Sequence, residues 1–335
     1  VSVFAAATGV GSWPGATPRE AAEIVIGELH RLPYLVELPD RGVGADLIGR
    51  AGALLVDIAI DTVPRGYRIA ARPGAVTRRA RSLLDEDVDA LEEAWEKAGG
   101  GVDRVVKVQA PGPITLAAQL ELVNGHRAIT DAGAVRDLAG SLAEGVARHR
   151  AEVARRLSAT VVVQFDEPLL PAALAGRLSG VTGLSAVHPI DEVRAIALID
   201  HCVAVLGPDV LLHCCAAEVP WNLLQRSSIS AVSIDADTLD DKGLDGLAGF
   251  IDSGRAAVLG MVRAVGTRRP ASVEELALAA AALTDRLGFG RAVLRERIGI
   301  SPVCGLAGAT EAWARAATGL TERTAQMIAD GAEAL

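Results

Sequence analysis

Short apolar runs alternate along the chain with longer stretches in which Ala, Leu and Val recur at helical spacing among Glu and Arg. The runs that read as strands are Val3–Thr8, Tyr34–Leu38, Val105–Gln109, Thr160–Phe165, Val210–Cys214, Ala231–Ile234, Ala257–Met261 and Arg297–Ser301. Several are continuously apolar and β-branched, Val161-Val162-Val163 above all. Such strands are expected where helices cover both faces of a parallel sheet. The intervening stretches carry helix signals. Thr17-Pro18-Arg19-Glu20 offers an N-cap, a proline at the first helical position and an acidic first turn. Ala132 to Leu157 is one long amphipathic helix, and Asp191 to Leu206 ends at Gly207-Pro208. Ser272-Val273-Glu274-Glu275 has capping-box spacing and opens a helix to Leu287; a last helix occupies Thr310 to Leu335.

Strand–helix alternation of this kind over 335 residues predicts an α/β fold, a (β/α)8 TIM barrel. A doubly wound open sheet is the alternative, and it lacks support because no GxGxxG follows the first run. Asp61 to Gly100 holds no clear barrel strand. It reads as an excursion, with a basic stretch Arg78-Arg79-Ala80-Arg81 followed by an acidic helix from Asp85 to Lys97. With no Ser/Gly linker and no shift in composition, residues 1–335 are expected to form a single barrel domain.

Composition narrows the chemistry. Hydrophobic residues make up 50% and aromatics only 3%, so the core is built of Ala, Val, Leu and Ile. A net charge of −9 argues against nucleic acid as a partner, because phosphate binding needs a basic surface. The 4 cysteines do not form a disulfide scaffold, and metal binding in a reducing compartment is the better reading. Val1 to Val10 lacks a basic leader and reads as a buried first strand. No apolar run approaches the ~20 residues of a membrane span, so a soluble cytoplasmic protein is expected.

In a barrel of this type, functional groups come from the carboxyl ends of the strands. Polar residues gather there: Gly11-Ser12, Glu37, Asp166-Glu167, His213 to Cys215, Asp235 and Cys304. Side chains alternate along a strand, so His213 and Cys215 share a face and Cys214 points the other way. His213, Cys215 and Cys304 are far apart in sequence and include no CxxC pair. That pattern predicts a catalytic zinc site rather than a zinc finger; two cysteines packed as small apolar groups is the plainer alternative. Asp235 is an oxygen donor for the same ion, or else the N-cap of the following turn. Asp166 and Glu167 end a very apolar strand, which is costly without partners. A substrate ammonium would satisfy one of them; a buried salt bridge is the alternative. Gly11-Ser12-Trp13-Pro14 offers backbone N–H groups and a hydroxyl to a carboxylate, or is a plain turn. An amino acid bearing a thiol would use all three places.

The same residues resemble the catalytic barrel of cobalamin-independent methionine synthase. Thr8-Gly9-Val10-Gly11-Ser12-Trp13-Pro14 is similar to that family's IGSFP motif, and Ala110-Pro111-Gly112-Pro113-Ile114-Thr115 to its TGPVT segment. Gln164-Phe165-Asp166-Glu167-Pro168 resembles QIDEPA, His213-Cys214-Cys215 resembles HMC, and Pro302-Val303-Cys304-Gly305-Leu306 resembles PDCGL. The resemblance spans nearly the whole chain. It implies Zn2+ held by His213, Cys215 and Cys304, a substrate carboxylate near Ser12 and an ammonium near Asp166, with Glu37 the nearest match to a second ammonium-binding glutamate. It further implies methyl transfer to the thiol of homocysteine, forming methionine. Two departures stand out. Ser233-Ile234-Asp235 offers an aspartate where the family places a glutamate ligand. Gly260-Met261-Val262-Arg263-Ala264-Val265 carries no histidine where the family has one after strand 7. The donor therefore stays open between methyltetrahydrofolate and a methylcobalamin-bearing corrinoid protein. Related barrels methylate coenzyme M or decarboxylate uroporphyrinogen, and the latter would draw on Arg41 and Arg68. A zinc- or thiol-binding protein without catalysis is a further alternative.

Overall fold

Six of the eight apolar runs pair into one parallel sheet in the computed structural model, which describes residues 1–101, 104–181 and 186–335. The chain begins with α1 (Pro18–Glu28), α2 (Leu47–Leu54), a hairpin of β1 (Ala59–Val63) and β2 (Gly66–Ala70), and α3 (Ala75–Lys97). It continues through β3 (Val105–Pro111), α4 (Pro113–Gln119), the short β4 (Leu120–Glu121), α5 (Ala132–Leu157), β5 (Thr160–Asp166), α6 (Leu170–Leu174) and α7 (Glu192–Leu206). Then come β6 (Val210–Cys214), α8 (Trp221–Arg226), β7 (Ala231–Asp235), α9 (Asp241–Asp252), β8 (Ala256–Val262), α10 (Val273–Arg286), α11 (Arg291–Arg297), β9 (Ile298–Pro302) and α12 (Glu311–Gly331). The sheet runs β3-β5-β6-β7-β8-β9, and all its neighbours are parallel.

The expected closed barrel of eight regular strands is corrected to a curled, open six-stranded parallel sheet. Val3–Thr8 and Tyr34–Leu38 do not form strands. Each is reduced to isolated bridges: Ala7 with Ile300 at one edge of the sheet, Tyr34 with Lys107 at the other, and Ser12 with Glu37 between the two segments. Local chemistry accounts for this. Ala5-Ala6-Ala7 lacks the β-branched side chains that favour a pleated strand, and Gly9 and Gly11 follow it. Pro33 has no N–H to give to a ladder at the start of the second segment.

Residues 61–100 hold the β1–β2 hairpin and α3 rather than irregular chain. The basic and acidic stretches are a single 23-residue helix, because Ala80, Leu83, Leu84, Val88, Leu91 and Trp95 make one apolar stripe through both. The capping box at Ser272 and Glu275 forms as expected, and Asp191 caps α7. Thr17 stands at the N-cap of α1 but makes no side-chain bond there. Among the described residues no helix is long and apolar enough to cross a membrane.

Alternation along the strands sets up the site. Val162, Leu211, Ala231, Val258, Phe4 and Ala6 form an apolar plug inside the curl of the sheet, while Val161 and Val163 face the helices. Two residues further along the same inward faces stand Gln164, His213 and Ser233, all buried. The interior thus changes from apolar to polar on approaching the carboxyl ends of the strands.

Candidate metal centre

A pocket of about 270 Å³ opens at those strand ends, lined among others by Ser12, Glu37, Asp166, His213, Cys215 and Cys304. His213 comes from the end of β6, Cys215 from the residue just beyond it, and Cys304 from two residues beyond β9. One donor atom from each lies within 4.8 Å of the others. The two Sγ atoms are 3.6 Å apart, far too distant for a disulfide. Around a tetrahedral ion with metal–sulfur bonds of ~2.3 Å, sulfur ligands sit about 3.8 Å apart.

The histidine fits the same geometry. Ser233 Oγ on β7 lies 3.0 Å from His213 Nδ1, because the two residues are partners in the β6–β7 register. His213 Nε2 is buried and has no hydrogen-bond partner. A buried polar atom without a partner is costly. A metal ion at Nε2, with Nδ1–H donating to Ser233, satisfies both ring nitrogens. The Cys215 thiol and His213 together lower the Cys304 thiol below its usual range. The cluster can therefore coordinate a metal ion. Cys214 lies on the opposite face in the main core, and burial pushes its thiol up to about 11.

Asp235 is set slightly apart. It ends β7, and its carboxylate accepts from Asp237 N at 3.0 Å, capping a short 3-10 turn. It lies outside the 4.8 Å group. Burial raises its pKa, and the charge of Cys304 adds to the same direction.

Two carboxylates face the pocket. Asp166 Oδ1 accepts from Gln164 Nε2 at 2.6 Å, and burial pushes its pKa up to about 6. Glu37 Oε1 is buried without a hydrogen bond, and its nearest cation, Arg50 Nε, is 3.6 Å away. Burial raises the Glu37 pKa to about 7. Burial dominates both shifts, with Arg50 and Lys107 acting against it at Glu37, and His213 and Lys107 at Asp166. Arg50 is held in turn by Asp87 of α3, which also binds Arg41.

Glu167, expected beside Asp166 as a ligand contact, does not line the pocket. Its carboxylate accepts from Ile114 N and Thr115 N, each at 2.8 Å, and from Thr115 Oγ1 at 2.6 Å. It thus binds the N-terminus of α4, where a carboxylate is favoured by the free N–H groups. Gly112 is required beside it, because a Cβ there would overlap the Glu167 carboxylate. Ser12 lines the pocket with its hydroxyl against Gly305, which has no room for a side chain. Gly11 does not line it, but its carbonyl accepts from Glu37 N at 3.0 Å and ties the two segments together.

Sequence reasoning missed Ser233, Lys107, Gln164 and Asp87. Each had a signal. Ser233 and Lys107 are lone polar residues in apolar strands, and Asp87 lies on the apolar stripe of α3.

The family described as cobalamin-independent synthase, catalytic domain, matches residues 4–327. The chain belongs to that family. Solved structures share its fold. A B12-independent methionine synthase from Shewanella sp. W3-18-1, in complex with selenomethionine, has a TM-score of 0.64 at 13% identity, covering 99% of this chain and 100% of that one. A methyltransferase from Methanosarcina mazei has a TM-score of 0.57 at 14% identity, covering 94% of this chain and 85% of that one. A search of curated proteins finds no match. The chain thus has a methionine-synthase-like methyltransferase fold. Within this cobalamin-independent synthase domain, the pocket that holds the His213, Cys215 and Cys304 cluster also holds Asp166, Glu37 and Ser12.

Proposed function

We propose that the protein is a zinc-dependent S-methyltransferase that moves a methyl group onto the thiol of homocysteine to form methionine. The observation that carries this reading is the partnerless His213 Nε2 facing two thiols in a pocket that also presents two buried carboxylates. Sulfur, sulfur and imidazole form a donor set suited to zinc. Asp235, at the end of the neighbouring strand β7, is the proposed fourth and exchangeable ligand. Zinc, when bound, supplies the Lewis acidity that ionises a thiol at neutral pH.

The other residues bind and orient. Asp166 takes the substrate ammonium, with Glu37 completing the contact. The Ser12 hydroxyl takes the carboxylate. The substrate sulfur is thereby directed to the His213, Cys215 and Cys304 end of the pocket. Fixing both reactants in this way supplies much of the rate in a displacement that needs no covalent enzyme intermediate. We further infer that the six-stranded sheet and the segments bridged to its two edges form one domain.

The test has two stages. The purified protein is expected to contain about one zinc per chain, as a three-residue protein site with an open position would hold. It is then supplied with homocysteine and, in parallel, methyltetrahydrofolate or methylcobalamin. Methionine formed from either donor supports the proposal and identifies the donor. Absence of bound metal together with no methionine from either would sink it.

A further inference from the structure

Beneath the pocket lies a buried polar pair, Lys107 and Gln164, neither of which lines the pocket or belongs to the metal cluster. Lys107 projects inward from β3, where Val105-Val106 and Val108 are its neighbours, and it is completely buried. Its ammonium donates to Gln164 Oε1 at 2.7 Å and to Val10 O at 3.3 Å, over the ring of Tyr34. Gln164, from β5, donates through Nε2 to Val10 O at 2.7 Å and to Asp166 Oδ1 at 2.6 Å.

These bonds are directional. An ammonium can only donate, so Lys107 fixes which end of the Gln164 amide carries the oxygen. The NH2 end must then face Val10 O and Asp166, both of which can only accept. Without Lys107 the Gln164 oxygen loses its donor, and the amide is no longer anchored behind the nitrogen that serves Val10 O and Asp166. Both acceptor residues line the pocket. Asp166 is the proposed ammonium contact, and Val10 immediately precedes the Gly11-Ser12 turn proposed to receive the carboxylate.

We infer that Lys107 and Gln164 are positioning residues that hold Asp166 at a fixed distance from the Gly11-Ser12 turn and so select an α-amino acid among thiols. This rests on the reading of the pocket as an amino-acid site. The pair acts through Asp166 and Val10 and touches no ligand. An ammonium is a costly way to fill buried space; its three donors are what an apolar side chain of similar length cannot supply.

The test compares two thiols on zinc-loaded protein by isothermal titration: homocysteine, and 4-mercaptobutyrate, which lacks only the ammonium. Lys107→Met removes the donor that anchors the Gln164 oxygen. Gln164→Glu keeps a partner for Lys107 but removes both N–H donors, and it serves should the first variant fold poorly. Each is expected to bind homocysteine about tenfold more weakly, the equivalent of one hydrogen bond to a charged group. Binding of 4-mercaptobutyrate and the zinc content should stay unchanged. In a transfer assay, KM for homocysteine should rise while kcat holds. Retained preference for homocysteine in both variants would overturn the inference. So would parallel weakening of both thiols with loss of zinc, which marks a general structural role. If the unaltered protein itself shows no preference, the amino-acid reading falls, and this inference with it.

Discussion

Cys304→Ser is expected to give folded protein that no longer retains stoichiometric metal and no longer transfers methyl groups. The thiols of Cys215 and Cys304 stand 3.6 Å apart, and the Cys215 thiol and His213 lower the Cys304 thiol below its usual range. A serine hydroxyl offers neither the polarisable sulfur nor an accessible anion. The scale follows from the partner behind the histidine. Losing a hydrogen bond to a ligating histidine typically costs about 10–100-fold in metal affinity. Ser233→Ala, which removes the bond to His213 Nδ1, should fall in that range. Removing a ligand outright should cost more, and Cys215→Ser should match Cys304→Ser. Cys214→Ser should keep its metal, because that side chain lies in the opposite layer. Metal analysis and competition with a chelator separate these outcomes. Stoichiometric zinc in purified Cys304→Ser protein would contradict the ligand assignment.

The second large effect is one of stability. Asp87→Ala should destabilise the protein by about 3–5 kcal/mol, the usual cost of stranding one partner of a buried ion pair. Asp87 is shared by Arg50 and Arg41, and all three side chains are almost wholly buried. Its loss leaves two guanidinium groups without their common carboxylate, while Arg50 NH2 already lacks a partner. The guanidinium chloride midpoint should drop accordingly. A change below about 1 kcal/mol, the range of an exposed pair, would show that the cluster is solvated in solution. The same variant is expected to loosen Glu37, since Arg50 is its nearest cation.

The parts of the fold that were legible in the sequence are those governed by local pattern. Apolar runs became the strands β3, β5 and β6, with β5 continuously β-branched over Val161-Val162-Val163, and α5 spans the very residues its periodicity indicated. The first two runs were misleading because apolar character alone does not make a strand. Ala5-Ala6-Ala7 and the segment after Pro33 are apolar enough to be buried but poorly suited to a ladder. At the site, strand-end position and the two-residue alternation placed His213 and Cys215 on one face. Contacts that depend on register between strands were not legible. The pairing of His213 with Ser233 follows from the β6–β7 alignment. The bond from Lys107 to Gln164 joins β3 and β5, and Asp87 reaches Arg50 from α3 to α2. Glu167 shows the converse limit. Its neighbour Asp166 suggested a shared role, but adjacent residues on a strand end face opposite ways, and Glu167 serves α4.

The four cysteines fall into two classes that report on different events. Cys202 and Cys214 are sealed in the core, with thiols pushed up to about 12 and 11 by burial. Cys215 and Cys304 are partly open to the pocket. An alkylating reagent should therefore label the second pair when the metal is stripped and the first pair only when the chain unfolds. The molecule carries its own two-channel gauge, in which demetallation and denaturation can be timed separately in a single mass-spectrometric trace.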